Sequence, residues 1–278
     1  MIEHKEECKM KTTVAVIGAG NGGTAIGAYL TSMGVDVNLC DLFAQYLEPI
    51  RDGIDLTYEG KTSHQKFHMV TGDVAEAIRG VHLIMVVTPS FTHEMIVERC
   101  AKALSDGQVV VLNPGRTGGA LAFLNGVRAL GCEADITIAE TQTLIYSCRK
   151  TAPAAVDIFG VKKEVALGAF PANRTQQVLD LLHPYYPQFT PAKNCMETSL
   201  SNIGALFHPT PVLLNIGRIE NVKQSYRYYV DGITPSVARL IKEIDRERMA
   251  VAQAFGVKIL CAEEWLVQSY ETHGEDLY

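Results

Sequence analysis

Residues 12–24 read Thr-Thr-Val-Ala-Val-Ile-Gly-Ala-Gly-Asn-Gly-Gly-Thr, and this stretch constrains the fold more than any other. Thr12 to Ile17 is β-branched and apolar, the pattern of a strand buried on both faces. A helical stretch follows from about Gly22 to Met33, and Gly34 takes the position that commonly ends a helix. Val35 to Cys40 is a second strand, which closes a βαβ unit. Gly18, Gly20 and Gly23 therefore sit between a strand and a helix, the context in which their spacing has a physical meaning. Gly18 permits the tight turn, Gly20 lets the backbone approach a pyrophosphate, and Gly23 lets the helix lie close on the strand. The helix start at Asn21 and Gly22 offers unpaired N–H groups and positive dipole charge to phosphates.

Asp41 ends the second strand, where an acid accepts a hydrogen bond from a ribose 2′-hydroxyl. A 2′-phosphate would meet a like charge there, so NAD is expected as cofactor ahead of NADP. The competing reading is a glycine-rich turn beside a solvated aspartate. The complete βαβ context argues against it.

Further strands are expected at Val81–Val87, Gln108–Leu112, Ile136–Ala139 and Glu164–Leu167, with helices at Thr92–Leu104 and Gly119–Leu130. Such alternation implies an α/β fold with a doubly wound parallel sheet, a Rossmann domain. Two loops leave the carboxyl ends of strands, where open α/β sheets bind ligands. Thr88 and Pro89 lie in one; Asn113 and Arg116 lie in the other. All four are candidates to line the nicotinamide pocket, although ordinary turn chemistry accounts for each loop equally well. Three prolines between His183 and Pro191 mark a crossover. Beyond it the chain reads as helical at Glu197–Ile203, Pro209–Ile219, Pro235–Phe255 and Ala262–Ser269, with Thr234 as N-cap and Pro235 at the first helical position. The expected domains are residues 1–190, dinucleotide-binding, and 191–278, a smaller all-helical substrate domain. The first ten residues are expected to form a loose tail.

The 278 residues are 47% hydrophobic and 20% charged, enough to bury a core, and the net charge is −6 with scattered basic residues. No basic face for nucleic acid is expected. No apolar run reaches the ~20 residues of a membrane span, and the N-terminus lacks a signal-peptide core. The seven cysteines show no CxxC spacing, so neither a disulfide framework nor a zinc site is expected. His64 and His68, four apart in an extended stretch, do not converge on a metal. A cytoplasmic protein with small-molecule partners is the expectation.

Several strings together resemble the octopine/nopaline (opine) dehydrogenase family. They are the loop from Gly18, Val111-Leu112-Asn113-Pro114-Gly115-Arg116-Thr117-Gly118-Gly119, and Ala139-Glu140-Thr141-Gln142-Thr143-Leu144. More specific are Ser201-Asn202-Ile203-Gly204-Ala205-Leu206-Phe207-His208-Pro209 and Leu214-Asn215-Ile216-Gly217-Arg218-Ile219-Glu220. The resemblance spans nearly the whole chain. It implies NAD(P)H-dependent reduction of the imine formed from a 2-oxo acid and the amine of an amino acid. It also implies a histidine that handles the proton, an acid that supports it, and a cation for a substrate carboxylate. His208 matches the histidine; Asp245 and Arg239 are placed in the other two roles by helix neighbourhood. The chain stops at Tyr278, soon after the helix around Trp265, where family members continue, so a shortened helical domain is expected. Apolar surface on it would favour a homodimer.

Histidine suits the proton role because both of its forms are available near neutrality. On residues alone, a lone histidine in Leu206-Phe207-His208-Pro209 is more often structural; the resemblance tips the balance to catalysis. Asn202 and Asn215 are better explained by capping or polar packing, and Arg239 and Asp245 by a charged helix surface as readily as by a site. Two other readings stay open. One is a 2-oxo acid reductase of the ketopantoate-reductase type. The other is a dinucleotide-binding protein with an incomplete active site.

Overall fold

A computed structural model describes residues 12–221, 225–270 and 277. The expected N-terminal tail lies outside the described residues. Twelve strands are seen among them: β1 (Thr13–Ile17), β2 (Asp36–Cys40), β3 (Ile54–Tyr58), β4 (Lys61–Gln65), β5 (Met69–Thr71), β6 (Leu83–Val86), β7 (Val109–Leu112), β8 (Thr137–Thr141), β9 (Tyr146–Ala152), β10 (Ala155–Val161), β11 (Val165–Phe170) and β12 (Phe189–Pro191).

The main sheet has eight strands in the order β12-β11-β8-β7-β6-β1-β2-β5. From β8 to β5 every neighbour is parallel. β1 and β6 are both buried and apolar, as parallel strands covered on two faces must be. The order reverses at β1, which lies between β2 and β6, and that switch point is where such sheets bind ligands. The helix Asn21–Ser32 follows β1 directly. Gly34, at φ +84°, takes the left-handed turn after it. Ala15 and Ile17 belong to an apolar cluster on one face of the sheet, Val14 and Val16 to another on the opposite face.

Two features depart from the sequence expectation. β11 runs antiparallel to β8, so the sheet is not wholly parallel. A second, four-stranded sheet, β4-β3-β10-β9, lies on the helix Asn21–Ser32. Tyr29 of that helix packs edge-on against Tyr58 and Tyr146, closing this layer with aromatic contacts.

Past β12 the described chain is helical. Thr234 caps the helix Pro235–Ala254 as expected, accepting from Val237 N–H. The helix expected at Pro209–Ile219 is instead two, Pro209–Leu214 and Ile216–Asn221, broken at Asn215. Asn215 explains the break: its Nδ2 donates to the carbonyls of Pro211 and Gly232, tying the corner to a distant turn. Ile203, Leu206, Phe207, Val237 and Ile241 form a separate small core here. No described helix is long and apolar enough to cross a membrane.

Candidate active site

The glycine loop has the shape a dinucleotide needs. Gly18 has φ +115°, and a Cβ there would stand 2.5 Å from the Val87 carbonyl oxygen. A Cβ on Gly23 would stand 1.7 Å from the carbonyl oxygen of Gly18, so helix and turn touch directly. Gly20 differs: nothing lies within 4 Å of its Cβ direction, leaving open space beside the helix start. Above the loop, Leu144 and Val87 pack against Gly22. The Asn21 Oδ1 accepts from Lys150 N–H and fastens the loop to β9.

Asp41 is buried at the end of β2. Its Oδ2 accepts from Ala19 N–H at 2.6 Å and its Oδ1 from Phe43 N–H at 2.9 Å. These bonds hold the carboxylate against the glycine loop, and each oxygen keeps a lone pair for a further donor. Thr88 stands at the neighbouring strand end with its Oγ1 buried and without a hydrogen-bond partner among the described residues. An orphaned hydroxyl beside Gly18 fits a cofactor contact. Pro89 is exposed, and its carbonyl accepts from the Thr92 hydroxyl, a turn role. Asn113 is buried and donates to the Val111 carbonyl, which braces its own loop.

Arg116 follows in that loop with a left-handed backbone, φ +62°. The loop is set by Glu140 at the end of β8, a fully buried carboxylate. Glu140 accepts from Ala120 N–H and from the hydroxyls of Thr198 and Ser199, at 2.7–2.8 Å. The Ser199 hydroxyl in turn accepts from Gly118 N–H. Burial raises the Glu140 carboxyl above its ordinary value, while the donors from Thr198, Ala120 and Ser199 oppose that. One side chain thus pins the Arg116 loop, β8 and the helix Cys195–Leu200 to one another. Sequence reasoning did not single out Glu140, although an acid inside an otherwise apolar strand was the available signal.

His208 ends the short helix Gly204–Phe207. It lies exposed on the rim of a cavity of about 630 Å³ that is also lined by Arg116, Gln142, Lys162, Asn202 and Trp265. Partial desolvation of the ring at the cavity rim, and then the Arg116 charge, hold its imidazole below the ordinary value. Gly204 makes room between the two: a Cβ there would stand 3.3 Å from Arg116 Nη1 and 3.4 Å from His208 Cε1.

The other two expected catalytic residues are not brought to His208. Asp245 is buried, but its Oδ1 pairs with Arg248 and its Oδ2 accepts from Ala262 N–H at 2.7 Å. Both oxygens are therefore engaged inside the helical core. Arg239 points outward, exposed, and donates to Ser236 of its own helix. For Arg239 helix neighbourhood could not reveal this, since a helix shows each residue to a different side.

With the geometry known, comparison with characterised proteins gives two family matches. Residues 191–278 match the NAD/NADP octopine/nopaline dehydrogenase alpha-helical domain, and residues 13–123 the NAD-dependent glycerol-3-phosphate dehydrogenase N-terminus. An opine dehydrogenase of Arthrobacter sp. (strain 1C) is 36% identical over 270 residues, covering 96% of this chain and 74% of that one. An octopine dehydrogenase of Pecten maximus is 25% identical, covering 88% of this chain and 65% of its own length. Among solved structures, octopine dehydrogenase in complex with NADH and agmatine superposes with TM-score 0.77 at 21% identity, over 96% of this chain and 73% of that one.

Proposed function

The chain belongs to the opine dehydrogenase family and is an NAD(P)-dependent oxidoreductase, and from that premise we propose how its residues divide the work. The substrates are a 2-oxo acid and an amino acid, and the cofactor is NAD(H). The carrying observation is the meeting of Arg116 and His208 over Gly204 at one cavity.

Gly18, Gly20, Gly22 and Gly23 would hold the pyrophosphate, Asp41 the adenosine ribose, and Thr88 the part of the cofactor nearest β6. When bound, NADH supplies a hydride to the imine carbon. Arg116 holds the carboxylate of the 2-oxo acid as a charge-assisted pair. That sets the keto carbon beside His208. His208 gives a proton to the oxygen that leaves as water when amine and keto acid condense, and it takes a proton back in the oxidative direction. Phe207, Ile233 and Trp265 wall the cavity and keep water from the imine.

The test is NADH oxidation by a panel of 2-oxo acids, each with and without amino acids. Amine-dependent oxidation is expected. Amine-independent oxidation would favour a simple 2-oxo acid reductase. His208→Ala should lower turnover by roughly 10²–10⁴ with NADH affinity unchanged. A variant with near-normal turnover would remove His208 from the mechanism.

We further place the protein in a reducing compartment, the cytoplasm, because the six described cysteines are all free thiols. A homodimer that covers exposed Leu213, Leu214 and Val230 is the expected assembly. Sedimentation across a concentration series tests it.

A further inference from the structure

The inner cavity is lined by three basic side chains: Arg116 and His208, which meet over Gly204, and Lys162, just past β10. No aspartate or glutamate is among the cavity's described lining residues. Lys162 is half-buried, and its Nζ donates to the Leu144 carbonyl at 2.6 Å. An ammonium has three donors, so that bond leaves two more for a ligand. Leu144 itself packs on Gly22 of the cofactor loop. The lysine is therefore held where the cofactor loop and the substrate cavity adjoin.

Lys162 also lines a larger groove of about 1250 Å³, which shares Gln142, Thr143, Ser201, Ile203 and Trp265 with the inner cavity. It is thus one of the residues that face both spaces. A partly desolvated cation with spare donors is costly unless an anion completes it. Burial accordingly lowers its ammonium below the ordinary value, partly offset by Cys148.

We infer that Lys162 is the second carboxylate anchor of the site and binds the carboxylate of the amino substrate as that substrate enters from the groove. This rests on the reading above, in which Arg116 takes the carboxylate of the 2-oxo acid. Every product of that reaction is a secondary amine flanked by two carboxylates, so two cations on different loops of one cavity, Arg116 after β7 and Lys162 after β10, match it, whatever side chain the amino acid carries. Lys162 does no chemistry on the imine in this scheme. It is a specificity residue, which accepts α-amino acids and discriminates against amines lacking the carboxylate.

The probe is iminodiacetate, the common core of such products, compared with N-methylglycine, which keeps one carboxylate. Both are titrated into the full chain saturated with NAD⁺. The wild type should bind iminodiacetate more tightly. Lys162→Met should lower that affinity by about 10–100-fold, the scale of one charged hydrogen bond, down to the level of N-methylglycine. Lys162→Arg should keep most of it, and the Kd for NAD⁺ should not move. Three results would each overturn the assignment: iminodiacetate affinity unchanged in a folded Lys162→Met variant, an equal loss of NAD⁺ affinity (which would make the lysine a brace for the cofactor loop), or a wild type that does not distinguish the two probes. Amine-dependent NADH oxidation by the wild type is assayed separately. Its failure would sink the reaction assignment while the binding result stays readable.

Discussion

Arg116 and His208 come together above Gly204, the guanidinium Nη1 and the imidazole Cε1 each within 3.4 Å of where a Cβ would stand. A cation beside an imidazole disfavours its protonated form. That, with partial desolvation at the cavity rim as the larger cause, keeps the ring below its ordinary value of 6.5. At neutral pH the resting ring is therefore in its base form, which the proposed role as proton acceptor in the oxidative direction requires.

This fixes a pH dependence and its sign. kcat/KM for product oxidation with NAD⁺ should fall about tenfold per pH unit on the acid side, where His208 is protonated, and level off above an inflection lying below 6.5. Arg116→Gln removes one of the two causes of the depression, so its inflection should move to higher pH even though substrate binding weakens. An inflection that stays put, or moves down, would show that the two side chains do not act on each other.

The glycine loop gives a paired prediction. Gly20→Val meets open space, so the variant should fold and melt near the wild type while NADH affinity drops, because the branched side chain fills the phosphate approach. Gly23→Ala drives a Cβ into the Gly18 carbonyl, so it should lose stability as well as binding. Thermal melts and NADH titrations of both variants separate the cases. Equal NADH affinity in folded Gly20→Val would reduce this loop to a turn.

Asp41 should set cofactor choice. Its carboxylate is held in place by Ala19 and Phe43 N–H. Asp41→Asn keeps the size but removes the charge that repels a 2′-phosphate, so the preference for NADH over NADPH should shrink. Calorimetric titration of both cofactors measures it. Tighter NADPH binding in the wild type would already contradict the assignment.

What could be read from the chain alone follows the range of the interactions. The βαβ unit, the loop at Gly18–Gly23 and the Thr234 cap rest on neighbours a few residues apart, and all were legible. The second sheet was not. β4 is Lys-Thr-Ser-His-Gln, with no apolar alternation, and β3 pairs in parallel with β10, about a hundred residues later. That pairing is visible only in three dimensions. Lys162 was missed for the same reason, since it follows β10. At Asp245 a local signal existed, as part of the charged-helix reading: Arg248 lies three residues on, at the spacing where helical charges meet.

The last prediction turns on that pair. Asp245 and Arg248 have side chains only 5% and 8% exposed, and Arg248 also donates to the carbonyls of Leu200 and Leu260. Asp245→Ala would leave the guanidinium buried without its counter-charge and Ala262 N–H without its acceptor. Breaking a buried pair from one side costs about 3–5 kcal/mol, so the melting temperature should drop by several degrees or more. Asp245→Asn can still accept from Ala262 N–H and should lose less. If the aspartate supported proton transfer, both variants would lose turnover while remaining folded. If it is structural, turnover per folded molecule should stay near normal below the melting transition, and the opine-forming rate should track the folded fraction. Thermal melts run alongside initial rates decide between these. A stable Asp245→Asn variant with turnover down a hundredfold would return the residue to the catalytic site and show that the cleft closes differently around bound substrate.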